Sequence, residues 1–167
     1  MPTSDETTVS LLISLNIDPD SGQDHLLPAI MEHLEQYKPE LLKLMGDFFS
    51  KVEMEAFETD GASIGRPWAY YAPSSIQRPK MLYHTGKLEE SIAAKRTYGS
   101  NFVSIGFDPG VCWYTKIHNE GSPASNLPAR VLIGILPSQV DQMIIELKEH
   151  LSLELGLDPS QILVESR

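Results

Sequence analysis

The sequence predicts an α+β fold: a small, mostly antiparallel sheet packed by N-terminal helices and a long C-terminal helix. Three observations lead there. Residues 8–17, TVSLLISLNI, are β-prone and partly alternating. Two stretches, 26–57 and 138–156, repeat apolar residues at helical spacing. Between them lie short β-prone segments bounded by Gly, Asn and Pro. Helices set apart from a run of short strands make the α+β arrangement.

The elements follow in order. Residues 8–17 form a first strand, and DPDSGQD breaks the chain after it. From Leu26, the stripe Leu26, Leu27, Ile30, Met31 and Leu34 predicts a short helix. Pro39 opens a second, longer helix at its first turn. Leu41, Leu42, Met45, Phe48, Phe49 and Val52 carry that helix to about Phe57.

Residues 59–86 read as a long loop, rich in Pro and Gly and carrying Trp68, Tyr70 and Tyr71. A loop of this length in a compact domain is usually functional. Its aromatics either fold back on the core or pack on a partner. Thr85 and Gly86 end it. A helical turn follows, then a hairpin with strands at about 91–97 and 102–107 and its turn at 98–101. WYTKIHNEG is one helical turn with Gly121 as a C-cap, and PARVLIGIL, 128–136, is a further strand.

Pro137, Ser138 and Asp141 begin the C-terminal helix, whose stripe is Val140, Met143, Ile144, Leu147 and Leu151 and whose end is Gly156. Asp158 and Pro159 cap a short final helix holding Ile162 and Leu163, on a loosely packed tail at 157–167. The 167 residues suit one domain.

Charge narrows the partners. A net charge of −10 argues against generic binding to nucleic acid, which demands a basic footprint. The charge is unevenly spread. Residues 1–62 hold thirteen acids and three bases, 63–137 hold four acids and eight bases, and 138–167 hold six acids and two bases. Such a bipolar chain fits either a solvated acidic helix face or self-association, basic middle against acidic segment. No apolar run reaches the roughly 20 residues that span a bilayer. The acidic N-terminus lacks the signal-peptide pattern, so a cytoplasmic chain is expected.

Catalytic constellations are thin. The single cysteine, Cys112, excludes an internal disulfide and a Cys-based zinc site. Paired with His118 it could be a thiol nucleophile with its base, but no orienting group or oxyanion hole is recognisable. His25, His33, His84, His118 and His150 show no metal-ligand spacing. Glu53, Glu55, Glu89 and Glu90 read as solvated helix faces. No phosphate-binding loop occurs, so no cofactor, metal or catalytic residue is expected.

The stretch YTKIHNEGSPASNLPARVLIG, 114–134, concentrates the remaining polar candidates. Tyr114 and His118 share one face of a helical turn. Pro128 fixes φ ahead of Arg130, whose planar fork can bond several carbonyls. His118 and Arg130 flank a Gly-bounded loop, 119–127, and read as a structural clasp on it.

In order and spacing, these motifs resemble the phage virion morphogenesis family, the tail-completion proteins of Mu-like phages and prophages. A [ST]-Gly-x-Leu-x-x-Ser turn falls on Thr85, Gly86, Leu88 and Ser91. A Tyr-Ala-x-x-His-x-x-Gly segment falls on Tyr114, His118 and Gly121, and a Pro-Ala-Arg-x-x-[LI]-Gly segment on Pro128, Ala129, Arg130, Ile133 and Gly134. Gly61 and Trp68 fit an upstream Gly…Trp stretch. Thr115 stands where the family usually has Ala, Glu120 where an aromatic is common, and Val131 where Pro is common.

The resemblance, over about residues 45–150, implies a structural protein rather than an enzyme. It would act in tail completion or head–tail joining, in the virion and, during assembly, in the host cytoplasm. Its partners would be tail-tube or head-connector proteins, with DNA only as cargo passing through a channel and no membrane. Related junction proteins form rings, often of six copies, and a head-to-tail ring needs two complementary surfaces. Trp68, Tyr70, Tyr71, Lys80 and Lys87 are the expected interface. The competing expectations are a small hydrolase using His118 with Glu120 or Cys112, and a monomeric adaptor.

Overall fold

The computed structural model describes residues 6–15, 27–69, 82, 86–108 and 110–166, and its fold is α+β. A strand β1 (Glu6–Leu15) is followed by a helix α1 (Leu27–Glu58), a short helix α2 (Lys87–Ala94), and strands β2 (Arg96–Tyr98) and β3 (Phe102–Gly106). Helix α3 (Thr115–Glu120), helix α4 (Pro137–Leu155) and strand β4 (Ile162–Ser166) complete the chain. The strands lie in the order β2-β3-β1-β4. β1 and β4 are antiparallel, in register from Leu11↔Ser166 to Leu15↔Ile162. The turn at 99–101 is short enough to join only antiparallel neighbours, and Gly99 N–H closes it on Phe102 O at 2.9 Å.

The chain gathers into two compact units. The first comprises residues 1–8, 46–97 and 104–136, the second 9–45, 98–103 and 137–167. In the second, α4 packs on β4. Met143, Leu147 and Leu151, at helical spacing, form the buried stripe of α4. Leu34, Leu41, Leu42 and Met45 are the buried positions of α1 in this unit. In the first unit, Val52, Ala56 and Ile64 form a cluster against which Phe48 packs.

Four expectations are corrected. The two N-terminal helices are one, of 32 residues, with Pro39 inside it. The buried stripe Leu34, Leu41, Met45, Phe49, Val52 and Ala56 keeps one helical phase across the proline. That burial outweighs a lost main-chain bond, which Pro39 would otherwise have donated to Glu35. The strand at 91–97 is also displaced, because α2 runs to Ala94 before β2 begins. Leu88, Ser91 and Ile92 are buried at i, i+3 and i+4, the phase of a helix face.

The tail is the third. Asp158 does cap a turn, Pro159–Gln161, with its side chain accepting from Ser160 N–H and Gln161 reaching back to its own N–H. This is a 3-10 turn, and Ile162 and Leu163 lie beyond it in β4. Burial alternates along that strand, with Ile162 and Val164 in and Leu163 out, as on a half-covered sheet. The tail is therefore paired and packed. The fourth correction is the segment 128–136, which is no strand; its main chain is held in another way.

Candidate functional site

Within the first unit, three side chains and one main-chain carbonyl take the place of a neighbouring strand along residues 130–134. Arg130 N–H donates to His118 O at 2.8 Å. Val131 O accepts from the indole N–H of Trp68 at 2.7 Å. Leu132 N–H donates to Asn119 Oδ1 at 2.9 Å. Gly134 N–H donates to Glu53 Oε1 at 3.2 Å. Buried main-chain groups must find partners, and a segment whose partners come from α1, α3 and Trp68 need not join a sheet.

Arg130 is 1% exposed. Its Nε donates to Ala69 O at 3.0 Å, 61 positions earlier in the chain. This bond goes to main chain outside the 119–127 loop that the clasp was expected to hold. The loop itself closes through Ser122 and Leu127, whose N–H groups each donate to the other's carbonyl at 2.9 Å. Gly121, at φ +77°, is obligatory at its base. A Cβ there would stand 2.7 Å from Ala129 N and 2.9 Å from Leu127 O. Gly134 has no such constraint, since its Cβ would meet only Ile64, at ordinary contact distance.

The first motif is tied to the second. Gly86, at φ +78°, precedes α2, and its carbonyl accepts from Glu90 N–H. Leu88 and Ser91 are buried. Ser91 Oγ contacts Asp108 O and Thr115 Oγ1, each at 3.2 Å. Thr115, fully enclosed, also donates to Cys112 O at 2.7 Å. Thr115 thus links the two motif segments. Tyr114 and His118 meet edge to face, ring centroids 5.7 Å apart, as their spacing predicts.

Trp68 is a correction. It is 4% exposed, with its ring against Phe57 at 5.2 Å and its N–H given to Val131. A side chain enclosed by its own unit offers nothing to a partner. Gly61 makes room for it, since a Cβ there would lie 2.6 Å from the indole. Lys87 is exposed. Tyr70, Tyr71, Thr85 and Lys80 lie outside the described residues, as do His25 and His84.

Glu53 is the second correction. It is no solvated face residue but 4% exposed. Burial pushes its carboxyl up to about 8, against a smaller lowering by the Gly134 N–H. Its Oε2 is buried without a hydrogen-bond partner. The signal was in the sequence: Glu53 stands four residues after Phe49 and four before Phe57, on the apolar stripe. Asn119 was also missed, as nothing in an isolated helical turn marks which polar residue turns inward.

His118 is held below its ordinary value, first by burial and then by the charge of Arg130. It is neutral at neutral pH. Cys112 is 2% exposed, a poor position for a nucleophile. Glu120 is exposed and lies 3.6 Å from Lys116. Two residues along a helix from His118, it does not share that side chain's face. Among the described residues no three His, Cys, Asp or Glu gather as metal ligands would. No helix among them is long and apolar enough to cross a membrane.

An open groove in the second unit is lined by Ile30, Leu155 and Leu157. His33 Nε2 and Glu154 Oε1 lie beside it, 3.2 Å apart. Among the described residues, none of the sequence-predicted site residues borders it. No family model, no curated protein and no solved structure matches this chain.

Proposed function

We propose that this chain is a structural protein of a phage or prophage, acting in tail completion or head–tail joining as a ring-forming subunit. The observation that carries the reading is the use made of the motif residues. Gly86, Ser91, Gly121 and Arg130 each fix main chain or join one motif segment to the next. A motif spent on shape is what an assembly subunit requires, because its surfaces must be held at a fixed geometry. The bipolar charge of the chain supports the same reading.

As such a subunit, the protein works through contacts and needs no cofactor. The hydrolase reading has no observation in its favour, given the burial of Cys112 and the outward position of Glu120.

The test is deletion of the gene from the genome that carries it, followed by induction of particles and electron microscopy. Separate heads and tails, or tails of abnormal ends, restored to whole particles by a supplied copy, are expected. Whole, infectious particles in the deletion strain would refute the reading.

A further inference from the structure

The exposed side of α4 is apolar as well as charged. Ile145 is 50% and Leu153 is 84% exposed. With Glu149 they follow one another at i, i+4 and i+8, so they lie along one face. Asp141, Gln142, Glu146 and His150 are the exposed positions around them. The opposite face, Met143, Leu147 and Leu151, is already spent on the core. A large leucine and isoleucine on a solvent face, rimmed by acids, is the pattern of a contact surface.

The same chain carries the complement. From residue 61 to residue 88 there are four bases, Arg66, Arg78, Lys80 and Lys87, and no acid. The stretch also holds Tyr70, Tyr71, Ile76, Met81 and Tyr83. Arg66 and Lys87 are exposed on the first unit. No other stretch of this length in the chain is free of acids.

We propose that the outer face of α4 is an interface, and that its occupant is the basic segment between Arg66 and Lys87 of a second copy of this chain. The contact pairs two different surfaces, so it is head-to-tail, and each copy keeps one surface of each kind open for a further neighbour. This rests on the ring-forming reading above and names the surfaces that would build the ring. Ile145 and Leu153 supply the apolar centre. Asp141, Glu146 and Glu149 select the basic segment and reject a second α4, whose like charges would repel.

The experiment is sedimentation velocity of the full chain over a range of concentrations, at about 0.05 M and about 0.5 M salt. The variants are Glu146→Lys with Glu149→Lys, Arg78→Glu with Lys80→Glu, all four together, and Leu153→Ser. Circular dichroism checks that each is folded. The wild type should associate, less so at high salt. Each charge-reversed pair should weaken association by about tenfold or more, and the fourfold variant should recover most of the loss. Leu153→Ser should weaken association at both salt concentrations alike. Association indifferent to every α4 variant, or no recovery in the fourfold variant, overturns this interface while leaving ring formation standing. A monomer under all conditions overturns both.

Discussion

The indole N–H of Trp68 donates to the main-chain carbonyl of Val131 at 2.7 Å, so the start of the segment after α1 is anchored to the Pro-Ala-Arg segment by a buried bond. Trp68→Phe keeps most of the volume and leaves that carbonyl without its donor. The expected cost is about 1–3 kcal/mol, with Trp68→Ala costing roughly 3–5 kcal/mol. Urea denaturation at neutral pH measures both. Equal stabilities of wild type and Trp68→Phe would remove the bond from the account.

Arg130 makes the second anchor, to Ala69. Arg130→Ala should destabilise the fold by about 1–3 kcal/mol or more, since Ala69 O loses its donor and a large buried side chain is lost. Lysine should recover little. Its ammonium lacks the fork and is more costly to bury. The melting temperatures of the two variants should therefore be close, and a lysine variant as stable as wild type would contradict the geometry.

Two glycines of the motif should behave differently. Gly121→Ala should cost about 1–2 kcal/mol or more, because φ is +77° and a Cβ would press on Ala129 and Leu127. Gly134→Ala meets only ordinary contacts and should be nearly neutral. The pair, measured by thermal melting, separates a glycine needed for its conformation from one that is not.

Glu53 gives the fold an alkaline weakness. Its folded value is raised from 4.5 to about 8, so the native state holds a proton that the unfolded chain releases. The stabilisation is fully present below 4.5 and is lost as pH rises toward about 8. Within that window stability falls by up to about 1.4 kcal/mol per pH unit. Glu53→Gln should abolish the slope and be the more stable protein at the alkaline end. His118 works in the other direction. Its folded value is lowered, so its contribution is present above the ordinary histidine value and is lost as pH falls below that value and through the folded one. His118→Gln should flatten that acid limb. Denaturation midpoints across pH test both signs.

Much of this was legible in the sequence, and the misses share a cause. The stripe of α1 from Leu34 onward, that of α4, the turn at 98–101 and the cap at Gly121 follow from local spacing, whereas Met31, expected on the stripe, is 49% exposed. Pro39 misled because a local breaking rule was outweighed by a stripe that keeps phase across it. Residues 128–136 look like a strand because they are apolar, yet a strand is defined by the partner of its main chain. Here the partners are Trp68, Asn119 and Glu53, far apart in sequence. Trp68 was legible as a buried or a docking aromatic, and only its bond to Val131 decides between them. The same holds for Glu53, whose place on the stripe gave burial but not the Gly134 contact.

On the proposed function, the stretch from Tyr114 to Gly134 shapes the subunit and carries no chemistry. Complementation of the deletion strain with Trp68→Phe, Arg130→Lys, Gly121→Ala and His118→Gln tests it most directly, with infectious particle yield plotted against melting temperature. One trend is expected, yield falling only as stability falls, with His118→Gln near wild type in both at neutral pH. A His118→Gln protein that melts like wild type yet supports no particles would contradict it.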